Sequence, residues 1–373
     1  MSGRRHSIGV IPGDGIGPEV VAAALRVLDA LEPRFGFTTE RTTYPWSGAE
    51  HLATGRRVVP ADFEPLRAHG AVLLGALGHP QVRPGVLERD IVIALRRTLD
   101  LYVNLRPLEL FADRLSPLRD VRAADIDILI VRENTEDVYA AEGIRQGEGT
   151  PDEWVSAEMR FTRRGIARIV RYAFERARER PRHRLTLVDK ANAIPTQNLW
   201  REIFAEIGAE FPDVERTLAY ADAAAMFLVL DPARYDVIVT TNLFGDILSD
   251  VGAGVCGGLG MAPSANLHPG RTSVFEPVHG SAPEYAGQGV ASPIGAIGAL
   301  ALLLEHIGEA AAGGAVRRAI RSTIADGRIP DVGLRAGSTA ASTDVIIAAI
   351  EAEPAADGAG TGRGVGVGAG TTR

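Results

Sequence analysis

Apolar residues along this chain fall into two recurrent patterns. Short continuous blocks at 7–11, 71–75, 126–131, 185–188 and 237–240 read as buried strands. Between them lie stretches whose apolar residues recur every three or four positions, which predict helices over about 18–31, 165–177 and 199–207. Thr240-Thr241-Asn242 closes the last block with side chains able to cap a helix, so another helix is expected to begin there. Strands alternating with helices predict an α/β architecture. No fixed-period repeat is present. The stretch 352–373, where glycine alternates with small residues and no core pattern survives, is expected to be disordered.

Composition narrows this picture. At 373 residues the chain exceeds the size at which one core usually keeps growing, so two domains are expected. With 46% hydrophobic and 23% charged residues it reads as an ordinary globular protein. A net charge of −7 argues against nucleic-acid binding. Cys256 is the single cysteine, which excludes an intrachain disulfide and a multi-cysteine metal site and leaves small-residue packing as its role. No apolar stretch is long enough to span a membrane, and the apolar run behind Arg4-Arg5 is broken too early for a signal sequence. A cytoplasmic location is expected.

Candidate chemistry sits at five places. Lys190 is the one lysine among 40 basic residues. Arginine holds its proton near neutrality, whereas lysine can release one when its surroundings favour it. An arginine-biased composition with one chance survivor explains the count equally well, but the setting Val188-Asp189-Lys190-Ala191-Asn192 favours function. Asp246 and Asp250 stand four apart on the expected helix, hence on one face. Like charges there repel unless a cation joins them, and carboxylate oxygens suit Mg²⁺ or Mn²⁺. A solvated acidic face is the alternative, less expected on an apolar, glycine-rich helix. Arg96, Arg106 and Arg132 carry forks that bind carboxylates. Any one of them reads equally as a surface charge, yet Arg106 and Arg132 follow apolar strand-like runs. The segment 275–287, with Glu276, His279, Ser281 and Glu284 between glycines and prolines, is either a nucleotide-lining loop or a surface loop. Finally, Gly13-Asp14-Gly15-Ile16-Gly17 joins a strand to a helix but lacks the third-glycine position of the Rossmann fingerprint.

Taken in order from about residue 8 to 334, these motifs resemble the β-decarboxylating dehydrogenases, the superfamily of isopropylmalate, isocitrate, homoisocitrate and tartrate/D-malate dehydrogenases. The resemblance implies the two-domain isopropylmalate/isocitrate dehydrogenase-like fold, which is not a Rossmann fold. One domain would combine 1–103 with 258–351. The other would be 104–257, with an arm that clasps the partner of a homodimer. By the same resemblance Asp246 and Asp250 are metal ligands for Mg²⁺ or Mn²⁺, completed by Asp222 from the other subunit. Lys190, also donated across the dimer, is the base, and Tyr139 in Asn134-Thr135-Glu136-Asp137-Val138-Tyr139 is the proton donor. Arg96, Arg106 and Arg132 clamp the malate carboxylates. His279, Gly280, Ser281, Ala282, Glu284 and Ser292 are on the cofactor side. Glu284 stands where NAD-using members have an acid, while Ser292 replaces the usual asparagine.

The substrate is less plainly marked. The family reads the malate substituent with the helix around 85–96, where Ile91, Val92 and Ile93 suit an apolar isopropyl group and equally suit helix–core packing. Arg89 and Asp90 are charges foreign to an isopropylmalate pocket. Asn134-Thr135-Glu136 resembles the isocitrate, homoisocitrate and tartrate branches, and 161–165 with 262–267 resembles the tartrate/D-malate branch. 3-Isopropylmalate is the best single expectation, with a related substituted malate of a specialised pathway as the alternative. A catalytically silent regulatory subunit is disfavoured because the Lys, the Tyr and every metal Asp are kept.

Overall fold

The computed structural model describes residues 4–333 and 337–353. The glycine-rich segment from 354 onward lies outside the described residues.

Among the described residues ten strands make one sheet: β1 (Arg4–Ile11), β2 (Phe37–Thr43), β3 (Ala71–Leu74), β4 (Val103–Glu109), β5 (Asp127–Glu133), β8 (Arg184–Asp189), β9 (Glu215–Tyr220), β10 (Val237–Thr240), β11 (Pro263–Leu267) and β12 (Ser273–Pro277). β6 (Ile144–Gln146) and β7 (Trp154–Ser156) form a separate two-stranded ribbon. The sheet order is β2-β1-β3-β12-β11-β4-β5-β10-β8-β9. β2, β1, β3 and β12 are mutually parallel, as are β5, β10, β8 and β9. Between the two blocks β11 and β4 run antiparallel to their neighbours. Three antiparallel steps reverse the strand direction from one block to the other. This arrangement departs from a Rossmann order, in agreement with the glycine spacing.

Among the described residues the α-helices are α1 (Gly17–Phe35), α2 (Gly48–Thr54), α3 (Ala94–Thr98), α4 (Arg163–Glu179), α5 (Asn198–Gly208), α6 (Ala221–Leu230), α7 (Asn242–Val255), α8 (Ile294–His306), α9 (Ala310–Ala325) and α10 (Thr339–Ala352). α8 is buried on every side from Ile294 to Leu304, which its nearly unbroken apolar sequence requires. α4 instead buries one stripe, with Ile166, Ile169, Val170, Ala173 and Phe174 inward. Thr162 and Thr241 cap α4 and α7, each accepting a bond from a backbone N–H in the first turn. Cys256 is buried, and burial pushes its thiol up to about 12, so it packs rather than reacts. Among the described residues no helix is long and apolar enough to cross a membrane.

The Gly13–Gly17 turn has a packing cause. Gly13 and Gly15 have positive φ, and a Cβ on either would lie about 2 Å from the Ala76 or Ser281 carbonyl oxygen (2.0 and 1.9 Å). Ile16 N–H donates to that Ser281 oxygen at 2.8 Å. The buried Asp14 carboxylate accepts from the backbone of Gly48, Ala49 and Gly78 at 2.8–3.1 Å. The glycines therefore let three loops meet.

Candidate active site

The strands at the centre of the sheet alternate apolar and polar residues. On β4, Val103 and Leu105 enter the main core while Asn104 and Arg106 share the opposite face. Arg132 lies opposite Asn104 across the β4–β5 pair, and Asn266 lies opposite Asn104 across the β4–β11 pair. These polar groups bond one another, although Asn134 Oδ1 and Arg96 Nε are buried without a partner among the described residues. Arg106 donates to Asn104 Oδ1 at 2.8 Å and to Ser249 at 3.3 Å. Asn104 donates to Ser264 and to Asn266 Oδ1, and Asn134 donates to the same Asn266 oxygen at 3.0 Å. Asn266 donates to Glu276 at 2.7 Å, and Glu276 lies 3.6 Å from Arg96. Arg96 reaches this face from α3.

α7 covers the face and brings the acids. Gly245 allows the close approach, since a Cβ there would stand 2.5 Å from the Arg132 side chain. Arg132 donates to Asn242 at 2.9 and 2.7 Å and also to Asp246, whose other oxygen accepts from the Tyr139 hydroxyl at 2.7 Å. Arg106 lies 3.8 Å from Asp250. Thus Arg96, Arg106, Arg132, Tyr139, Asp246 and Asp250, drawn from five parts of the sequence, form one cluster. The repulsion expected between the two aspartates is met in the single chain by arginines.

The same environment divides the acids. Burial works to raise Asp246, but Arg132, the Tyr139 hydrogen bond and the other arginines outweigh it and hold the carboxyl below its ordinary range. For Asp250 burial prevails over Arg106 and Arg132, and its pKa is raised. Burial, then the bond to Asp246, pushes Tyr139 up to about 12, so its hydroxyl is protonated near neutrality. Burial first and Arg132 second bring Arg106 down to about 10, which leaves it a cation.

Lys190 and Asp222 form a separate pair, with Nζ 2.7 Å from the carboxylate. Lys190 follows β8 and its backbone N–H donates to Gln197 at 2.6 Å; Asp222 opens α6 behind β9. The Lys190 hydrogen bond holds the Asp222 carboxyl below its ordinary range. The Asp222 side chain is 68% exposed. Among the described residues no three His, Cys, Asp or Glu side chains gather to hold a metal ion. Asp246 and Asp250 offer hard carboxylate oxygens of the kind that suit Mg²⁺ or Mn²⁺.

In the loop expected to hold the cofactor, His279 is buried and its Nδ1 meets the Gly280 carbonyl at 3.0 Å. A carbonyl only accepts, so Nδ1 carries the proton in the neutral ring that burial favours. Nε2 is then a buried acceptor with no partner among the described residues. Ala282 adopts a left-handed conformation at φ 38°, and Gly280 and Glu284 are exposed beside it. Ser292 is buried, 3.5 Å from the Ile294 N–H at the start of α8, a local contact that turns its hydroxyl toward the helix terminus.

The segment expected to read the substituent is a π-helix, Glu88–Ile93, running into α3. Ile91 is buried in an apolar cluster with Trp46, Phe63 and Leu87, so the core-packing alternative describes it, whereas Val92 and Ile93 are half-buried. Asp90 is occupied by a bidentate pair with Arg57 at 2.5 and 2.6 Å, and Arg89 is exposed. The sequence marked none of Asn104, Ser249, Ser264 and Asn266 as site residues, and Asn242 only as a possible helix cap. The period-two polar positions Asn104/Arg106 and Ser264/Asn266 inside apolar strands were the available signal.

Comparison with known proteins agrees with this geometry. Residues 7–350 match the family model described as isocitrate/isopropylmalate dehydrogenase. The 3-isopropylmalate dehydrogenase of Thermobifida fusca is 49% identical over 323 residues, covering 86% of this chain and 91% of that protein. That of Mycobacterium avium is 49% identical over 321 residues, covering 85% and 94%. The crystal structure of isocitrate dehydrogenase from Methylococcus capsulatus superposes with a TM-score of 0.82 at 37% identity, covering 92% of this chain and 99% of that one. The chain belongs to the isocitrate/isopropylmalate dehydrogenase family. It is by class a dehydrogenase.

Proposed function

We propose that the chain catalyses NAD- and Mg²⁺- or Mn²⁺-dependent oxidative decarboxylation of a 3-substituted malate, with 3-isopropylmalate as substrate. The carrying observation is the convergence of the buried Arg106 and Arg132 on the acids of α7, with Tyr139 on Asp246 and the half-buried Arg96 alongside at Glu276. A dicarboxylate needs such a set of forks, and a 2-hydroxy acid needs a neighbouring oxygen-rich cation site. The relatives named 3-isopropylmalate dehydrogenase support the choice of substituent, as do the apolar, half-buried Val92 and Ile93.

In this reading Arg96, Arg106 and Arg132 orient the substrate carboxylates. Lys190 of the partner subunit takes the 2-hydroxyl proton, and Tyr139, protonated near neutrality, returns a proton at C3 after CO₂ leaves. NAD would be held by the 279–284 loop, with His279 Nε2 offering an acceptor to a nucleotide donor, and would serve as the hydride acceptor. The metal would be held by Asp246, Asp250 and the partner subunit's Asp222 and would supply Lewis-acid polarisation.

A homodimer with shared sites accounts for exposed apolar surface. Met226, Val229 and Leu230 on α6 and Ile247 on α7 are exposed, Leu230 by 69%. The β6–β7 ribbon exposes Ile144, Trp154 and Val155 and serves as the clasping arm. The two-domain division places β1–β3, β11 and β12 in one domain and β5–β10 in the other, with β4 at the boundary.

An initial-rate panel with NAD and Mn²⁺ tests the function: 3-isopropylmalate, isocitrate, homoisocitrate, D-malate and tartrate. 3-Isopropylmalate should give the highest kcat/KM. A clear win for isocitrate or tartrate would reject the substituent assignment and favour the branch suggested by Asn134-Thr135-Glu136.

A further inference from the structure

Asp137 has φ 73° and ψ −167°, a backbone conformation that glycine almost alone adopts. The other non-glycine residues with positive φ, Asp100, Asp120, His183 and Ala282, lie at 38–58°. Asp137 is also completely buried. A residue keeps such a conformation only where its surroundings over-determine it, and here the fixings are explicit. Its own N–H donates to the Arg160 carbonyl at 3.0 Å. One carboxylate oxygen accepts from Val138 N–H at 2.7 Å and the other from Leu243 N–H at 2.9 Å. Leu243 belongs to the first turn of α7, where unpaired N–H groups favour an anion. A parallel tie runs from Asn242 to the Glu136 carbonyl at 3.1 Å. Two residues beyond Asp137, Tyr139 meets Asp246 one turn further along the same helix.

We propose that Asp137 is a positioning residue that sets the Tyr139 hydroxyl against α7 by tying the 136–139 loop to the helix N-terminus. The inference rests on the reading of Tyr139 as proton donor. The carboxylate holds the loop at Leu243, and the unusual φ turns the chain so that the next residues descend along α7. Side chain and backbone thus fix the same distance from two directions. A proton donor must be held within hydrogen-bond reach of the accepting carbon, and displacement by about an ångström costs on the order of 10²-fold in rate.

The test combines two readouts on the full-length protein. Amide exchange at Val138 and Leu243 in the free protein should accelerate in Asp137→Ala, and unchanged protection would overturn the tie. In steady-state assays with NAD, Mn²⁺ and the best substrate of the panel, Asp137→Ala should lower kcat by about 10²-fold with little change in substrate KM. Added to Tyr139→Phe, it should lower the residual rate no further. Full additivity with Tyr139→Phe would mark Asp137 as merely structural and overturn the proposal. Asp137→Gly relieves the backbone and deletes the carboxylate, so it should fall with Asp137→Ala; wild-type turnover in the glycine variant would also overturn it. Asp137→Asn keeps one acceptor oxygen and tolerates positive φ, and should retain an intermediate rate if the alanine variant fails to fold. A wild type inactive on every substituted malate would defeat the functional reading instead, while the exchange measurement still decides the tie.

Discussion

At the residue scale, the sharpest expectation attaches to Lys190. Its ammonium pairs with Asp222 at 2.7 Å, a contact an arginine also makes. Lys190→Arg should therefore fold and bind NAD, yet lose turnover by roughly 10²–10⁴-fold, the usual contribution of a positioned base. Near-normal turnover would remove Lys190 from proton transfer. Glu284 makes a second residue-level prediction. It is exposed at the edge of the His279 loop, where a carboxylate accepts from a ribose hydroxyl and repels a 2′-phosphate. NAD should exceed NADP in kcat/KM, and Glu284→Lys should narrow the gap. Equal use of both cofactors by the wild type would show that Glu284 does not read the ribose.

At the scale of elements, α7 carries two acids pushed in opposite directions. Metal binding needs both carboxylates ionised. Asp250, raised by burial, takes up its proton first as pH falls, whereas Asp246 stays ionised further into acid. Mn²⁺ affinity measured by calorimetry should thus be full near neutrality and decline with falling pH from above the ordinary Asp value of about 3.9. Affinity that stays flat down to that value would contradict the assignment of Asp250, as would unchanged affinity in Asp250→Asn. The helix itself was legible, because the capping Thr241 and the four-residue spacing of the acids are local signals. Boundaries were less so. α1 continues from the expected end at 31 to Phe35, because a proline near a helix end removes only one bond and Gly36 closes the helix in a left-handed cap. Ile91 was legible as apolar but not as inward-facing, since the π-helical turns around it shift the facing that a 3.6-residue period assigns. The Asn104–Asn266 bond joins residues 162 apart, and no local pattern announces such a pairing.

At the scale of the whole molecule, one chain holds two groups of expected site residues: the arginine, Tyr139, Asp246 and Asp250 cluster, and the Lys190–Asp222 pair. The apolar surface of α6 and of the β6–β7 ribbon is exposed in the isolated chain, and the proposed two-fold dimer pairs each cluster with the other chain's Lys190 and Asp222. Lys190→Met and Asp246→Asn should each be nearly inactive as homodimers. In a heterodimer of the two, the Lys190→Met chain contributes an intact Asp246 and the Asp246→Asn chain an intact Lys190, so one site is whole and the other carries both lesions. With independent sites, activity should reach roughly half that of the wild type. Co-expression with two tags, sequential purification and assay give the answer. An inactive heterodimer that still binds metal and NAD would mean that each site is built within one chain, and Lys190 would then have to reach the α7 acids by a rearrangement of β8 and α6 rather than across an interface.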